Sequence, residues 1–506
     1  MSVVIKKERA NLRTMFTSLG LRDWIVAAAS AIALALAFPK FGVPWLAPVG
    51  VAGLVWLWSG ASWKRAFALG WFAGTIFFCI SFSWFGYTVG SFVGGFAWAL
   101  VLVPAAVEAL AFALTGALSA LIYARAHPFL APLGAAAAFA LLEALRSLGI
   151  LGVPFAQIGY SQADTPLAVF AAYVGTFGTT FVVCAIGAYF AQAVRLRSNG
   201  VLAYAVGAFL AIWVLCWVGW PARHAAPPSF RVTAVQGNIA QSIKWDKGTL
   251  ATSVQRYTAL TQRAASFHPQ LIVWPETVMT TNLASNRPLS QKLGAFARSL
   301  NVTLVTGATD SHDGAFFNAS FIYDSSGEVT GVYDKRQLVP FVEGFPAKQY
   351  LSWLPYSNLI TGFGYGHTNG VYDAGSLRFA PLICWESAFA DLAHAQVAAG
   401  AQFFVVSTDD AWFGQSAGPY QHAQIAQMRA VENGMWVVRA ASTGISGIIA
   451  PDGRYVESTG LDREAVVSGY VGSPPGSFFA RIGPSPVILV LALIVAGSLY
   501  RRNAHA

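Results

Sequence analysis

The chain has 506 residues, of which 55% are hydrophobic and only 11% charged, with 17 Trp and a mean hydropathy of +0.52. Soluble domains carry about a quarter charged residues, so a wholly soluble protein is excluded. The formal charge of +9 invites a nucleic-acid reading, but residues 221–483 hold 18 Lys+Arg against 18 Asp+Glu and the remainder holds 14 against 5. The excess is confined to the apolar part, and no basic patch is left for nucleic acid.

A helix needs about 20 residues to cross a hydrocarbon core of roughly 30 Å. Runs of that kind fall at about 23–38, 45–60, 66–90, 94–123, 129–149, 166–194 and 201–219, and once more at 484–500. The expected fold is a multi-span α-helical membrane bundle of about eight spans, interrupted before its last span by a long polar insert. The domains expected are 1–220 with seven spans, 221–483 outside the membrane, and 484–506 with the eighth span and a short tail. Lys and Arg gather on the cytoplasmic side of spans. Lys6, Lys7, Arg9, Arg13 and Arg22, then Lys64 and Arg65, Arg125, Arg195 and Arg197, and Arg501 and Arg502 occupy every second connection. Both termini are therefore expected in the cytoplasm and the insert on the outer side. Ala35-Leu-Ala37 could serve as a signal-peptide cleavage site, but losing the first run would break this alternation, so it is read as a retained span.

The insert opens after Ala226-Pro-Pro228. Alternating or continuous apolar patterns suggest strands at 230–236, 271–274, 302–306, 315–323, 329–333, 378–384, 403–407, 436–441, 446–450 and 455–457, with helices at 289–300 and 420–432. Ser325-Ser-Gly327 and Pro451-Asp-Gly453 read as turns. This order predicts a single α/β domain, a sandwich.

Of four cysteines, Cys79, Cys184 and Cys216 lie in predicted spans and only Cys384 in the insert. A lone exported thiol is either buried and inert or free and reactive. Glu276, Lys335 and Cys384 each follow a predicted strand. Singly they read as a surface ion pair, a solvated turn and a buried filler. Jointly they offer a base, a cation and a thiol, which is what thiol attack on a carbonyl requires. Pro275 and the apolar strand ends imply desolvation, which would raise the Glu276 pKa towards that of an effective base.

VWPE ending at Glu276, YDKRQLVPFVEGFP around Lys335, LICWE around Cys384, and STDDAWFGQSAGPYQHAQIAQMRAVENG from Ser407 follow in that order. They resemble the carbon-nitrogen hydrolase (nitrilase) superfamily with its Glu-Lys-Cys triad. The whole chain is similar to the apolipoprotein N-acyltransferase family of bacterial inner membranes. The span plan, Val235-Gln-Gly-Asn-Ile-Ala-Gln-Ser-Ile-Lys-Trp245 and Gly159-Tyr-Ser-Gln162 carry that likeness.

The resemblance implies a nitrilase-like α-β-β-α sandwich in the insert. It also implies Glu276 as general base and acid, Lys335 as oxyanion stabiliser, Cys384 as nucleophile and the Trp385 amide as a second oxyanion donor. Glu343 would position the triad, Glu386 and Trp385 would support it, and Trp245 would help bind substrate. For Glu343 and Glu386 the plain alternative is an ion pair with Lys335 or Arg336, and for Trp245 and Trp385 a core aromatic. The implied reaction moves an acyl chain from a membrane phospholipid to Cys384, then to the α-amine of a diacylglyceryl-cysteine apolipoprotein. No cofactor or metal is expected, and a monomer is. His422 and Glu432, ten apart on one predicted helix, are read as structural.

Ser407-Thr-Asp-Asp-Ala-Trp-Phe-Gly414 and Ser442-Thr-Gly444 depart from the usual Ser-Asn-Asp-Ala-Trp-Phe-Gly and Asn-Asn-Gly, as do Trp385 for Tyr and Gly344-Phe345 for Tyr-Val. Residues 345–365, rich in aromatics and glycine, are expected to dip into lipid as a lid, since soluble surfaces rarely expose so much apolar area. Glu143 and Arg146, one turn apart, suit a helix ion pair or a headgroup contact. A membrane-tethered amidase or hydrolase is the rival enzyme. A transporter would need more intramembrane charge than Glu108, Glu143 and Arg146 supply.

Overall fold

The computed structural model describes residues 20–94, 99–219, 228–344 and 362–500. Two compact units divide it. The first takes the chain up to Ser147, Pro154–Gly219 and the residues from Pro484 on; the second takes Trp220–Gly483 together with Leu148–Val153.

Each apolar run carries helix: Leu21–Leu36, Leu46–Ser59, Trp63–Ser81 with Ser83–Val93, Leu102–Tyr123, Ala131–Arg146, Ala171–Leu196, Asn199–Gly219 and Pro484–Leu499. Among the described residues, three helices are long and apolar enough to cross a membrane by length and composition: Ala99–Tyr123, Pro166–Leu196 and Asn199–Val218. The run expected as one span at 66–90 is instead a pair bent by 54°. The break falls at Phe82, which leaves helical geometry (φ −98°, ψ 17°) while its ring packs on Phe78 at 5.0 Å and Trp84 at 5.9 Å. The run at 166–194 starts as a 3-10 turn, Pro166–Phe170, and Gly175 at φ +66° interrupts the helix behind it.

The charged side chains Glu108, Glu143 and Arg146 each find polar partners, as burial in an apolar medium favours. Arg146 meets Glu108 at 3.1 Å and donates to the Phe155 carbonyl at 2.6 Å. Glu143 turns elsewhere: it accepts the Ile158 N–H at 2.8 Å and the Thr180 hydroxyl at 2.7 Å. It thereby holds the buried turn Ile158–Gln162, which contains the Gly159-Tyr-Ser-Gln162 motif.

Among the described residues the second unit has thirteen strands: β1 Phe230–Gln236, β2 Leu271–Val273, β3 Met279–Asn282, β4 Thr303–His312, β5 Ala315–Tyr323, β6 Val329–Asp334, β7 Tyr372–Ala374, β8 Leu377–Ile383, β9 Phe403–Thr408, β10 Trp436–Ala441, β11 Gly447–Ile449, β12 Tyr455–Ser458 and β13 Ala465–Val471. One sheet runs β13-β1-β2-β4-β5-β6 with β3 beside β4, the other β12-β11-β10-β9-β8-β7. Their central pairs are parallel and their edges antiparallel.

Strand periodicity sets the layers. Val232, Ala234, Leu271 and Val273 point inward to meet Phe379, Phe403, Val405 and Val438 of the opposite sheet in one core. Val235, Ile272 and Trp274 point outward under the helices Thr249–Ala264 and Arg287–Leu300, among Tyr257, Leu260 and Leu293. The helices Ala390–Ala398 and Gly418–Asn433 pack on the second sheet. The result is an α-β-β-α sandwich.

Candidate active site

The three residues singled out at strand ends converge. Glu276 follows β2, is 6% exposed, and accepts Lys335 Nζ at 3.0 Å and Asn318 Nδ2 at 2.7 Å on Oε1, and the Asp409 N–H at 2.9 Å on Oε2. Lys335 follows β6, and its fully buried ammonium also donates to Glu343 at 2.9 Å. Cys384 follows β8 with φ +50°, a left-handed conformation costing a non-glycine residue roughly 1 kcal/mol or more. The strand expected to run to 384 therefore ends at Ile383, and the thiol opens the 3-10 turn Cys384–Ala388.

Electrostatics order the proton positions. Burial raises the Glu276 pKa, as anticipated, but Lys335, Asn318 and Lys244 outweigh it, so the carboxyl lies below the ordinary range. The expectation of a raised base is thus overturned, because the desolvation was legible and the surrounding cations were not. Burial lowers the Lys335 pKa, but Glu276, Glu343 and Cys384 reverse this and hold it well above that of a free lysine. Burial, with Glu276 next, pushes the Cys384 thiol up against the opposing pull of Lys335. The resting site is carboxylate, ammonium and neutral thiol, with the thiol within the field of both partners.

Glu343 accepts Asn318 Nδ2 at 2.9 Å and the Val339 N–H at 2.9 Å as well as Lys335. Glu386 is not an ion-pair partner of Arg336. Its buried carboxylate accepts the backbone N–H groups of Arg336 at 2.6 Å, Gln337 at 3.2 Å and Ile383 at 2.7 Å, and the Tyr333 hydroxyl at 3.0 Å. Burial pushes its pKa up to about 7. Trp385 is buried at 4% exposure, whereas Trp245 is 55% exposed, so a core role fits the first and not the second.

Two groups escaped the sequence reading. Asn318, in β5, bridges the two carboxylates. Lys244, beside Trp245 and only 3% exposed, donates to Asp409 Oδ2 at 2.5 Å, Thr277 Oγ1 at 2.7 Å and the Glu276 carbonyl at 3.2 Å. A lysine next to an exposed tryptophan carries no signal of burial, and an asparagine inside a strand carries none of bridging. The ligating atoms of Asp310, His312 and Asp334, the last directly before Lys335 in the chain, lie within 4.8 Å of one another, a donor set that a cation could use. The expected lid at 345–365 falls largely outside the described residues. Of it, Phe363 donates its N–H to the Glu343 carbonyl at 2.8 Å.

A buried carboxylate, ammonium and thiol at the strand ends of an α-β-β-α sandwich define a carbon-nitrogen hydrolase fold, and the profile of that family matches residues 231–471. The profile of the apolipoprotein N-acyltransferase N-terminal domain matches residues 30–189. An apolipoprotein N-acyltransferase of Geobacter metallireducens is 31% identical over 514 residues, covering 97% of each chain. One from Allorhizobium ampelinum is 33% identical over 489 residues, covering 91% of each. The protein belongs to the apolipoprotein N-acyltransferase family. An amidase of known structure from Nesterenkonia sp. is 18% identical with a TM-score of 0.40, covering 52% of this chain and 96% of that one.

Proposed function

We infer that the protein N-acylates the N-terminal diacylglyceryl-cysteine of apolipoproteins, taking the acyl chain from a membrane phospholipid through a thioester on Cys384. The observation that carries this reading is the Glu276–Lys335–Cys384 constellation in a chain that matches lipoprotein acyltransferases along its whole length.

In the first half-reaction Glu276 takes the thiol proton as sulfur attacks the phospholipid ester. The low base and high thiol pKa values make a free thiolate costly, so proton transfer accompanies attack. The oxyanion is met by the Lys335 ammonium and the Trp385 N–H. Collapse expels the lysophospholipid alkoxide, which takes the proton back from Glu276. In the second half-reaction the lipoprotein α-amine attacks the thioester, gives a proton to Glu276, and collapse returns the thiol. Splitting the transfer makes each step a single substitution at an activated carbonyl. Glu343, Asn318 and Glu386 position these groups, and exposed Trp245 contacts substrate.

The protein spans the bacterial inner membrane about eight times, with both termini cytoplasmic and the sandwich on the outer side. The alternation of basic connections supports this orientation. The test is to supply vesicles of mass-labelled phospholipid and a diacylglyceryl-cysteine peptide. The reading requires labelled N-acyl peptide. Release of labelled free fatty acid alone would make the enzyme a hydrolase.

A further inference from the structure

The first unit holds a cavity that the mechanism above does not use. Its volume is about 250 Å³, and Asp23, Trp56, Ser59, Gly60, Arg65 and Arg195 line it, with Leu57 and Leu69 as apolar lining. Four helix ends meet there. Leu21–Leu36 and Trp63–Ser81 begin beside it, and Leu46–Ser59 and Ala171–Leu196 finish beside it. None of these residues belongs to the unit that carries Cys384.

A guanidinium offers five N–H groups in one plane, and here few of them are used. Arg65 Nη2 meets Asp23 at 3.2 Å, but the Arg65 Nε is buried and has no hydrogen-bond partner. Arg195 donates from Nη1 to the Ser59 carbonyl at 2.5 Å, which caps the helix Leu46–Ser59, and lies 5.5 Å from the Tyr123 ring centre. Among the described residues no carboxylate pairs with Arg195. Arg22 adds a third guanidinium, 5.2 Å from the centre of the Trp56 ring. Three cations thus stand against one carboxylate, and Arg65 already engages it. A buried N–H with no acceptor is costly and rare, and charge at an apolar boundary calls for a counter-charge. The preceding residues 1–19 bring Lys6, Lys7, Arg9 and Arg13 against Glu8, so that segment adds to the excess.

We propose that this cavity binds the phosphate diester of an anionic phospholipid, with Arg65 and Arg195 as its donors. The planar fork of arginine matches phosphate oxygens in pairs, and basic pockets between membrane helices suit lipid head groups. Trp56, Leu57 and Leu69 then lie against the glycerol and the first methylenes, contacts that a free phosphate ion would leave unused. A zwitterionic head group brings an ammonium as well, and the one carboxylate that could receive it is held by Arg65. The proposed orientation puts this lipid in the cytoplasmic leaflet; the lining chemistry does not depend on it.

The measurement is native mass spectrometry of the full chain in detergent, carrying Cys384→Ala so that acyl transfer does not consume the lipid. Phosphatidylglycerol, phosphatidylcholine and inorganic phosphate are the probes. The proposal requires one binding step with phosphatidylglycerol that phosphatidylcholine lacks. Arg65→Gln combined with Arg195→Gln must weaken that step about tenfold or more, and millimolar inorganic phosphate must not displace the lipid. Equal binding of the two lipids, a step untouched by the double substitution, or displacement by inorganic phosphate overturns it. Should the double variant not fold, Gly60→Phe decides. A Cβ there meets nothing within 4 Å, and its φ of −109° suits any residue, so the ring enters the cavity and both arginines stay. The same step must weaken, and unaltered binding refutes the proposal. Because Cys384 is replaced throughout, these outcomes leave the thioester account untouched.

Discussion

The carboxylate of Glu386 accepts the backbone N–H of Arg336 at 2.6 Å. The turn that carries Cys384 is thereby tied to the strand end that carries Lys335, through a side chain that also takes the N–H of Ile383 at 2.7 Å. Cys384 and Lys335 are registered to one another across two sheets by one buried carboxyl group.

Glu386 also makes stability depend on pH. Burial raises its pKa from 4.5 to about 7. Its contribution is therefore fully present below about pH 4.5 and is lost as pH rises through about 7, by ~3 kcal/mol at most. Thermal unfolding in detergent at pH 5.5 and pH 8 checks this: wild type should lose more stability over that interval than Glu386→Gln. The variant should also transfer acyl groups at least tenfold more slowly, because its amide nitrogen cannot accept the Ile383 N–H. An equal pH response would contradict the assignment.

Asn318 donates to Glu276 at 2.7 Å and to Glu343 at 2.9 Å. Asn318→Ala withdraws a hydrogen bond that helps hold the Glu276 pKa down. The acid limb of single-turnover acylation should then move to higher pH, and kcat/KM should fall roughly 10- to 100-fold, as for loss of a group that positions a general base. A stopped-flow pH profile with a chromogenic ester checks both.

Lys244 and Asp409 form a buried pair at 2.5 Å, and the Asp409 N–H holds Glu276. Removing one partner strands the other, at a cost of about 3–5 kcal/mol, whereas replacing both is far milder. Lys244→Met should destabilise the protein strongly, and Lys244→Met with Asp409→Asn should recover much of the loss. Melting temperatures of the two single variants and the double variant measure the coupling.

Gly307 in β4 lies against the turn that presents Glu276. A Cβ there would fall 2.4 Å from the Thr277 nitrogen and 2.6 Å from the Glu276 Cα, backbone atoms that cannot swing aside. Gly307→Ala should displace Glu276, at a cost of about 1–3 kcal/mol, with activity falling much further than expression. Unchanged turnover would show that the turn yields freely.

The strands that place Glu276, Lys335 and Cys384 were legible because the runs at 271–274, 329–333 and 378–384 alternate or stay apolar, and these three residues sit at or just past their ends. Helix Thr249–Ala264 was missed, although Val254, Tyr257, Leu260, Thr261 and Ala264 are its buried face. Its many Thr and Gln residues mask the three-to-four spacing. β13 was missed because its role comes from pairing with β1 across the whole domain. Asn318, Lys244 and the orientation of Glu386 depend on contacts between segments far apart in sequence. The eight apolar runs were plain, but the bend at Phe82 was not, since it lies inside continuous hydrophobicity.

The central claim is an acyl chain carried on one sulfur. Intact-protein and peptide mass spectrometry after incubation with labelled phospholipid should show one acyl group on Cys384, none on Cys384→Ala, and its passage to the α-amine of an added diacylglyceryl-cysteine peptide. Absence of the adduct from wild type, or its persistence in Cys384→Ala, would contradict the account.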